Sequence, residues 1–436
     1  MRFLYNIFFC VFAVFYVPVM AVKGKFHSGF SQKFARLPSE ISDFKKPLWI
    51  HAVSVGEALV AARICEILKK EIPGLPVVIS TTTPTGNEMI RKASKNVDGV
   101  FYYPVDLSWV VKRALDQIDP SAYVMVETEL WPNMIEQASA RGIPVILANG
   151  RISDRSFGRY KKIGYITKKI FGCFSAVCAQ TQRDAEKMKA LGCGEEKTRV
   201  TGNIKFDTSF SPAHDAEVER IGCIFTEGKK VIVAGSTHFP EESGIIDEFV
   251  KMRSSLSGGV KLIIAPRHIE RKDAIRIYVE KAGLKCCFFS DFSGAGTTGS
   301  ERADVMIVDT IGHLKDIYSL ATVVFIGGSL VKKGGQNPIE AARWGKAVVF
   351  GTHMTNFREV ADSFIESGAA VMAENLVCLG SVMKELLLDE EKRLALERKV
   401  KAVIEKNSGA VYKTVEVIKH CLAGEKKCTV EGTNCY

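Results

Sequence analysis

The 436 residues contain no CxxC pair, no CxxC…HxxxH pattern and no GxxxxGKS or GxxxxGKT loop, and no GxGxxG follows the first strand-like run. The missing ligand spacings leave no zinc centre to read, and the chain has no P-loop. Zinc-finger spacing and RNP-like aromatic stretches are absent as well, so the net charge of +10 is not read as a nucleic-acid footprint. Twelve cysteines are scattered, with only Cys286 and Cys287 adjacent, which fits reduced thiols in a cytosol.

Charge is missing altogether from Phe3 to Val22, "FLYNIFFCVFAVFYVPVMAV". Twenty helical residues rise roughly 30 Å, the depth of a bilayer's hydrocarbon core. Lys23, Lys25, Lys33, Arg36, Lys45 and Lys46 follow, whereas only Arg2 precedes. That asymmetry predicts an uncleaved N-terminal membrane anchor over 1–22 and a basic juxtamembrane segment over 23–46, with the remainder cytoplasmic and near anionic lipid head groups.

Beyond the anchor, 47% apolar and 25% charged residues describe an ordinary globular chain, too long for one core. Continuous apolar runs alternate with helical patterns: "LWIHAVS", "LPVVIST", "GVFYYPV", "AYVMVE", "PVILANG", "SAVCAQT" and "RVTGNI". A polar stretch with Pro212 interrupts them, and the rhythm resumes with "KKVIVAGST", "VKLIIAPR", "KCCFFS", "ADVMIVD", "TVVFIGGS" and "KAVVFG". Apolar strands with helical crossovers imply parallel sheets covered on both faces. The expected organisation is a Rossmann-like domain over 47–208, a linker over 209–228, a second such domain over 229–423 and a flexible tail over 424–436. In open α/β sheets ligands sit outside the carboxyl ends of the strands, so two such domains would face each other across a cleft.

Polar residues at strand ends are therefore the candidates. In the second half these are Gly235–His238, Pro266-Arg267-His268, the run from Asp309 through Ile311, Gly312 and His313, and "GGSLVKKGGQNPIEAARWG". Asn337 suits a helix cap and Pro338 a first helical position, which would turn free amides toward a phosphate, with Glu340 one turn further in. Arg267 could clamp a phosphate or carboxylate bidentately. In the first half, Glu57 stands where "HAVSVGE" becomes helical, Glu127 and Glu129 follow "AYVMV", and Lys205 lies in "GNIKFD". Two carboxylates and an ammonium on one cleft would supply a base, a counter-charge for a cationic transition state and a partner for a departing phosphate. A helix start favours the ionised carboxylate, so Glu57 is expected to be charged at neutral pH and to act by position. His268, His313 and His353 share no ligand spacing, and no DxD pair occurs to bridge a diphosphate through a metal, which favours a metal-free reaction.

Taken in order, "HAVSVGE", "TTTPTG", "ETELWPN", "NGRIS", "GNIKFD", "APRH", "GGSL" and "GGQNPIEAA" resemble the motifs of bacterial 3-deoxy-D-manno-octulosonic acid (Kdo) transferases, from the anchor to beyond Gly351. The resemblance implies a GT-B fold, anchored on the cytoplasmic side of a Gram-negative inner membrane. It implies inverting transfer of Kdo from CMP-Kdo to a lipid A precursor in lipopolysaccharide biosynthesis, with no cofactor. The family's base falls on Glu57 and its transition-state stabilisers on Glu127 and Lys205. Its CMP contacts fall on Pro266 and Arg267, on Ile311, Gly312 and His313, and on Asn337, Pro338, Ile339 and Glu340. After "DTIG" the family usually carries Glu where this chain has His313. Two other readings compete: a nucleotide-sugar epimerase of the same architecture, and a non-catalytic membrane-tethered binder of nucleotide or lipid head groups.

Overall fold

The computed structural model describes residues 5–7, 9, 29–93, 96–207, 215–256, 259–292 and 302–424. The chain divides into two units, Met1–Asp207 with Asn407–Tyr436, and Thr208–Lys406. In the first, β1 (Leu48–Ala52), β2 (Val77–Thr81), β3 (Gly99–Tyr102), β4 (Ala122–Val126), β5 (Val145–Gly150), β6 (Ala176–Ala179) and β7 (Thr198–Val200) form one parallel sheet. Side chains alternate across a strand, so Trp49, Val78, Tyr123 and Leu147 enter one core while Ile50, Ile79, Val124 and Ile146 enter another on the opposite face. Both faces are covered, which is why these strands read as unbroken apolar runs.

The second unit repeats the plan with β8 (Lys230–Thr237), β9 (Val260–Pro266), β10 (Cys286–Phe288), β11 (Val305–Ile307), β12 (Val323–Ile326), β13 (Ala347–Gly351) and β14 (Val371–Ala373). Strand orders are 3-2-1-4-5-6-7 and 10-11-9-8-12-13-14. The first order reverses once, between β1 and β4; the second reverses between β8 and β12, with β11 also inserted between β9 and β10. At such a reversal neighbouring crossovers depart to opposite faces and leave a crevice at the strands' carboxyl ends. β14 has no counterpart among the runs read from sequence, because it is a three-residue edge strand without a continuous apolar pattern.

Two expected boundaries differ. The linker over 209–228 contains a helix, Ala216–Thr226, whose Val218, Ile221 and Phe225 are buried; residues 208–214 lie outside the described residues. The terminal helix Ala410–Leu422 belongs to the first unit rather than to the second domain, because Ala410, Val411, Val415 and Ile418 pack into the core built on Ile50 and Val124. Helical periodicity shows that such a helix is covered without showing by which sheet. Of the expected tail, residues 425–436 lie outside the described residues.

The anchor expected over residues 1–22 lies mostly outside them too, and among the described residues no helix is long and apolar enough to cross a membrane. Its described part is docked: the Asn6 amide donates to Ser108 Oγ (2.7 Å), and Asn6 Oδ1 accepts from Ser108 N (3.3 Å) and Asn133 Nδ2 (2.9 Å). Two lysines of the segment expected to be juxtamembrane are also engaged within the unit, Lys33 with the Thr82 carbonyl and Lys46 with Asp119. Among the described residues no two cysteines are joined in a disulfide.

The returning helix is seated by Asp207, which accepts from Gly409 N (2.9 Å) and Val411 N (2.6 Å). Asp207→Ala removes a cap of this kind and should lower the stability of the first unit by about 1–2 kcal/mol, read as a lower urea midpoint at unchanged slope.

Candidate active site

Glu57 lies three residues after Ser54, and the two form a capping box on the helix Val55–Glu71. Glu57 N donates to Ser54 Oγ (3.3 Å), Ser54 Oγ donates to Glu57 Oε1 (2.8 Å), and Val53 N donates to Oε2 (2.7 Å). The carboxylate is buried at the β1 end of the strand reversal. Burial pushes its pKa up against the opposing pull of the Val53 and Ser54 hydrogen bonds, with a further rise from Glu129. The expectation that Glu57 acts by position rather than by a raised pKa is therefore corrected: desolvation outweighs the helix start.

Glu127 follows β4 on the other side of the same reversal and adopts φ 59°, a left-handed conformation that is unfavourable for a side chain bearing Cβ. Its Oε1 lies 2.7 Å from Lys205 Nζ. The Lys205 chain end packs against Gly56: a Cβ there would lie 3.8 Å from both Cε and Nζ. Glu57, Glu127 and Lys205 thus gather at one strand reversal, from three distant stretches. Glu129 joins them, its pKa raised by burial and then by Glu127. Lys205 sits in the short helix Ile204–Phe206, which polar side chains hold in place: Asn203 Oδ1 accepts from Lys205 N (3.0 Å), Asn149 Oδ1 from Ile204 N (2.9 Å), and Asn407 Oδ1 from Asn203 N (3.0 Å).

In the second unit the carboxyl ends of β8, β9, β11 and β12 carry the candidates. Pro266 ends β9 and Arg267 is exposed just beyond it, its N–H bonded to the Thr237 carbonyl (2.9 Å). Ile311 is 82% exposed, Gly312 takes φ 103°, and the His313 ring lies 5.0 Å from that of Phe289. Asn337 Oδ1 accepts from Ile339 N (3.1 Å) and its amide donates to Glu340 Oε1 (3.3 Å). Burial raises the Glu340 pKa, partly offset by Asn337. The helix these residues open, Ile339–Arg343, has five residues and begins after Pro338 rather than at it. So short a helix has little dipole to offer a phosphate, and side-chain donors must do more of that work than the sequence suggested. Among the described residues no three His, Cys, Asp or Glu side chains gather where they could share a metal ion.

Glu241 organises this end of the second sheet. Its Oε2 accepts from His238 N (2.9 Å) and Gly328 N (2.7 Å), and its Oε1 from Ser329 N (3.1 Å) and Leu330 N (2.9 Å). One carboxylate thereby joins the loop after β8 to the loop after β12.

With these sites in view, the family model described as 3-deoxy-D-manno-octulosonic-acid transferase (kdotransferase) matches residues 28–208. A 3-deoxy-D-manno-octulosonic acid transferase of Haemophilus influenzae is 30% identical over 375 residues, covering 85% of this chain and 86% of that protein. The chain belongs to the Kdo transferase family. It is accordingly a glycosyltransferase. At 33% identity over 86% of its length it also matches a bifunctional glycosyltransferase/methyltransferase of Fusobacterium nucleatum, of which it spans 57%. A crystal structure of UDP-N-acetylglucosamine 2-epimerase shares the fold, with TM-score 0.53 and 13% identity over 89% of this chain and all of that one. That likeness is one of GT-B-like α/β architecture alone.

Sequence reasoning overlooked the Ser54–Glu57 box, although the S-x-x-E spacing before an apolar helix was there to be read. It also overlooked Glu241, for which a glutamate opening a helix was the only signal. Asn149 and Asn203 had no signal beyond standing at strand ends, and Asn407 had none. Glu241→Ala would leave four backbone amides without their acceptor. We expect a loss of about 3 kcal/mol in the second unit, or roughly 6–12 °C in its unfolding transition, measured by calorimetry on the intact protein.

Proposed function

We propose that this family member moves Kdo from CMP-Kdo to a lipid A precursor by inverting displacement, with Glu57 as the base. The observation that supports this most directly is the gathering of Glu57, Glu127 and Lys205 at the β1/β4 reversal. An acceptor hydroxyl gives its proton to the Glu57 carboxylate while its oxygen bonds to the anomeric carbon. The bond from that carbon to the phosphate oxygen breaks, and its electron pair leaves with CMP. Positive charge growing on the sugar is met by Glu127 and negative charge on the phosphate by Lys205. The 2.7 Å ion pair keeps both groups in place before substrate arrives. Pro266, Arg267, Ile311, Gly312, His313 and Asn337 to Glu340 are assigned to the cytidylate.

The same reading places the protein at the inner membrane, both units on the cytoplasmic face, with the apolar run of residues 3–22 as its anchor. Support comes from the charge asymmetry around that run. Since Lys33 and Lys46 are engaged within the unit, contact with anionic head groups falls to Lys23, Lys25, Arg36 and Lys45.

Purified protein incubated with CMP-Kdo and a tetraacylated lipid A precursor should yield Kdo-modified lipid and CMP. Conversion of a soluble sugar nucleotide, or binding without turnover, would refute the assignment. Glu57→Gln is the sharper variant, because glutamine can complete the capping box. It should lower kcat by roughly 10²–10⁴ while leaving donor affinity and thermal unfolding near wild type. A base must be deprotonated to act, and burial raises this one. Hence kcat/KM of the wild type should fall on acidification through a pKa above the ordinary glutamate range; a limb at or below that range would remove Glu57 from the role.

A further inference from the structure

The loop after β8 carries a histidine that the proposed reaction leaves unused. Ser236 takes φ 54° and the register against β9 shifts between Gly235 and Thr237. This irregularity brings His238 to the β8/β12 reversal, where its backbone N–H is held by Glu241. His238 is buried, with 8% relative exposure, and its Nε2 is buried without a hydrogen-bond partner among the described residues. Such an atom costs free energy unless something outside the chain satisfies it.

What faces it is positive or a donor. Gly328, at φ 69°, leaves the opening: a Cβ there would lie 3.1 Å from His238 Cδ2, 3.5 Å from His238 Nε2 and 3.7 Å from Gln336 Nε2. The His268 ring lies 5.4 Å from that of His238. Arg267, His268, Arg271 and Lys333 all bear on the imidazole, and after burial they hold its pKa down. Of the nearby carboxylates, Glu241 is occupied by four amides and Glu242 by Arg271 at 3.3 Å. A buried imidazole nitrogen without a partner, beside a side-chain amide and ringed by cations at a strand reversal, suits an anion.

We propose that His238 and Gln336, meeting over Gly328, form a subsite for an anionic oxygen of the donor, either the carboxylate of the transferred sugar acid or the phosphate. The inference rests on the donor being CMP-Kdo. With its Nε2 protonated, His238 donates one hydrogen bond and the Gln336 amide a second, while Arg267, His268 and Lys333 supply the field. A neutral hexose on a nucleotide would lack the carboxylate and leave part of the subsite unmet.

The test uses the full-length protein in detergent, with calorimetric titration of CMP and of CMP-Kdo. His238→Ala removes the buried donor. Gln336→Ala, at a partly exposed position, is the variant least apt to disturb folding, and His238→Gln restores a donor. Each alanine variant should weaken CMP-Kdo binding about 10- to 100-fold, the worth of a hydrogen bond to a charged group, and His238→Gln should recover part of it. Loss for CMP-Kdo with CMP unchanged assigns the carboxylate; parallel loss for both assigns the phosphate. Wild-type affinity for both ligands in both alanine variants overturns the subsite even if the wild type transfers Kdo. A wild type that neither binds CMP-Kdo nor modifies lipid overturns the functional reading and the subsite together.

Discussion

A buried carboxylate must collect hydrogen bonds, and in each unit one glutamate at a helix start does so where the strand order reverses. Glu57 draws on the Val53 amide and the Ser54 hydroxyl, Glu241 on four amides from two loops. The physical demand is the same and the outcomes differ. Glu241 is saturated, so it serves as a fixed clamp that shapes the loops around Gly328 and His238. Glu57 keeps acceptor capacity beyond its two bonds, and burial raises its pKa, which is what the proposed role of base requires.

The rest of the first site depends on a second demand, that charged groups gathered in a poorly solvated crevice be paired. Lys205 answers Glu127, and the turn carrying Lys205 is held by Asn149 and Asn203. Asn407 and Asp207 then tie that turn to the start of the terminal helix. The segment that returns from the second unit therefore contributes directly to the position of an ammonium group at the site. A left-handed φ at Glu127 is tolerated on similar grounds, since Glu127 N is bonded to the Ala148 carbonyl and its side chain to Lys205.

Architecture and chemistry separate cleanly. The fold is shared with an epimerase at 13% identity, so two parallel sheets alone specify no reaction. What distinguishes this chain is the set of side chains at the two reversals: an acidic and basic group in the first unit, a cationic and donor-rich group in the second. Arg267, His313 and Asn337 were readable from their places after apolar strands. His238 stood at a strand end as visibly as they did, but its significance lay in being buried without a partner, which no spacing reveals.

Local sequence determined thirteen of the fourteen strands, the division into two α/β units and the residues that stand at strand ends, because apolar runs, helical periodicity and turn residues act over a few neighbours. Tertiary structure alone decided the strand order, and with it which strand ends share a crevice. It also decided that Ala410–Leu422 packs on the first sheet, that burial rather than the helix start governs Glu57, and that Glu241 has no capacity to spare. Those outcomes arise from contacts between residues tens to hundreds of positions apart, and the energies of desolvation and pairing that set them exist only once the chain has closed around the groups concerned.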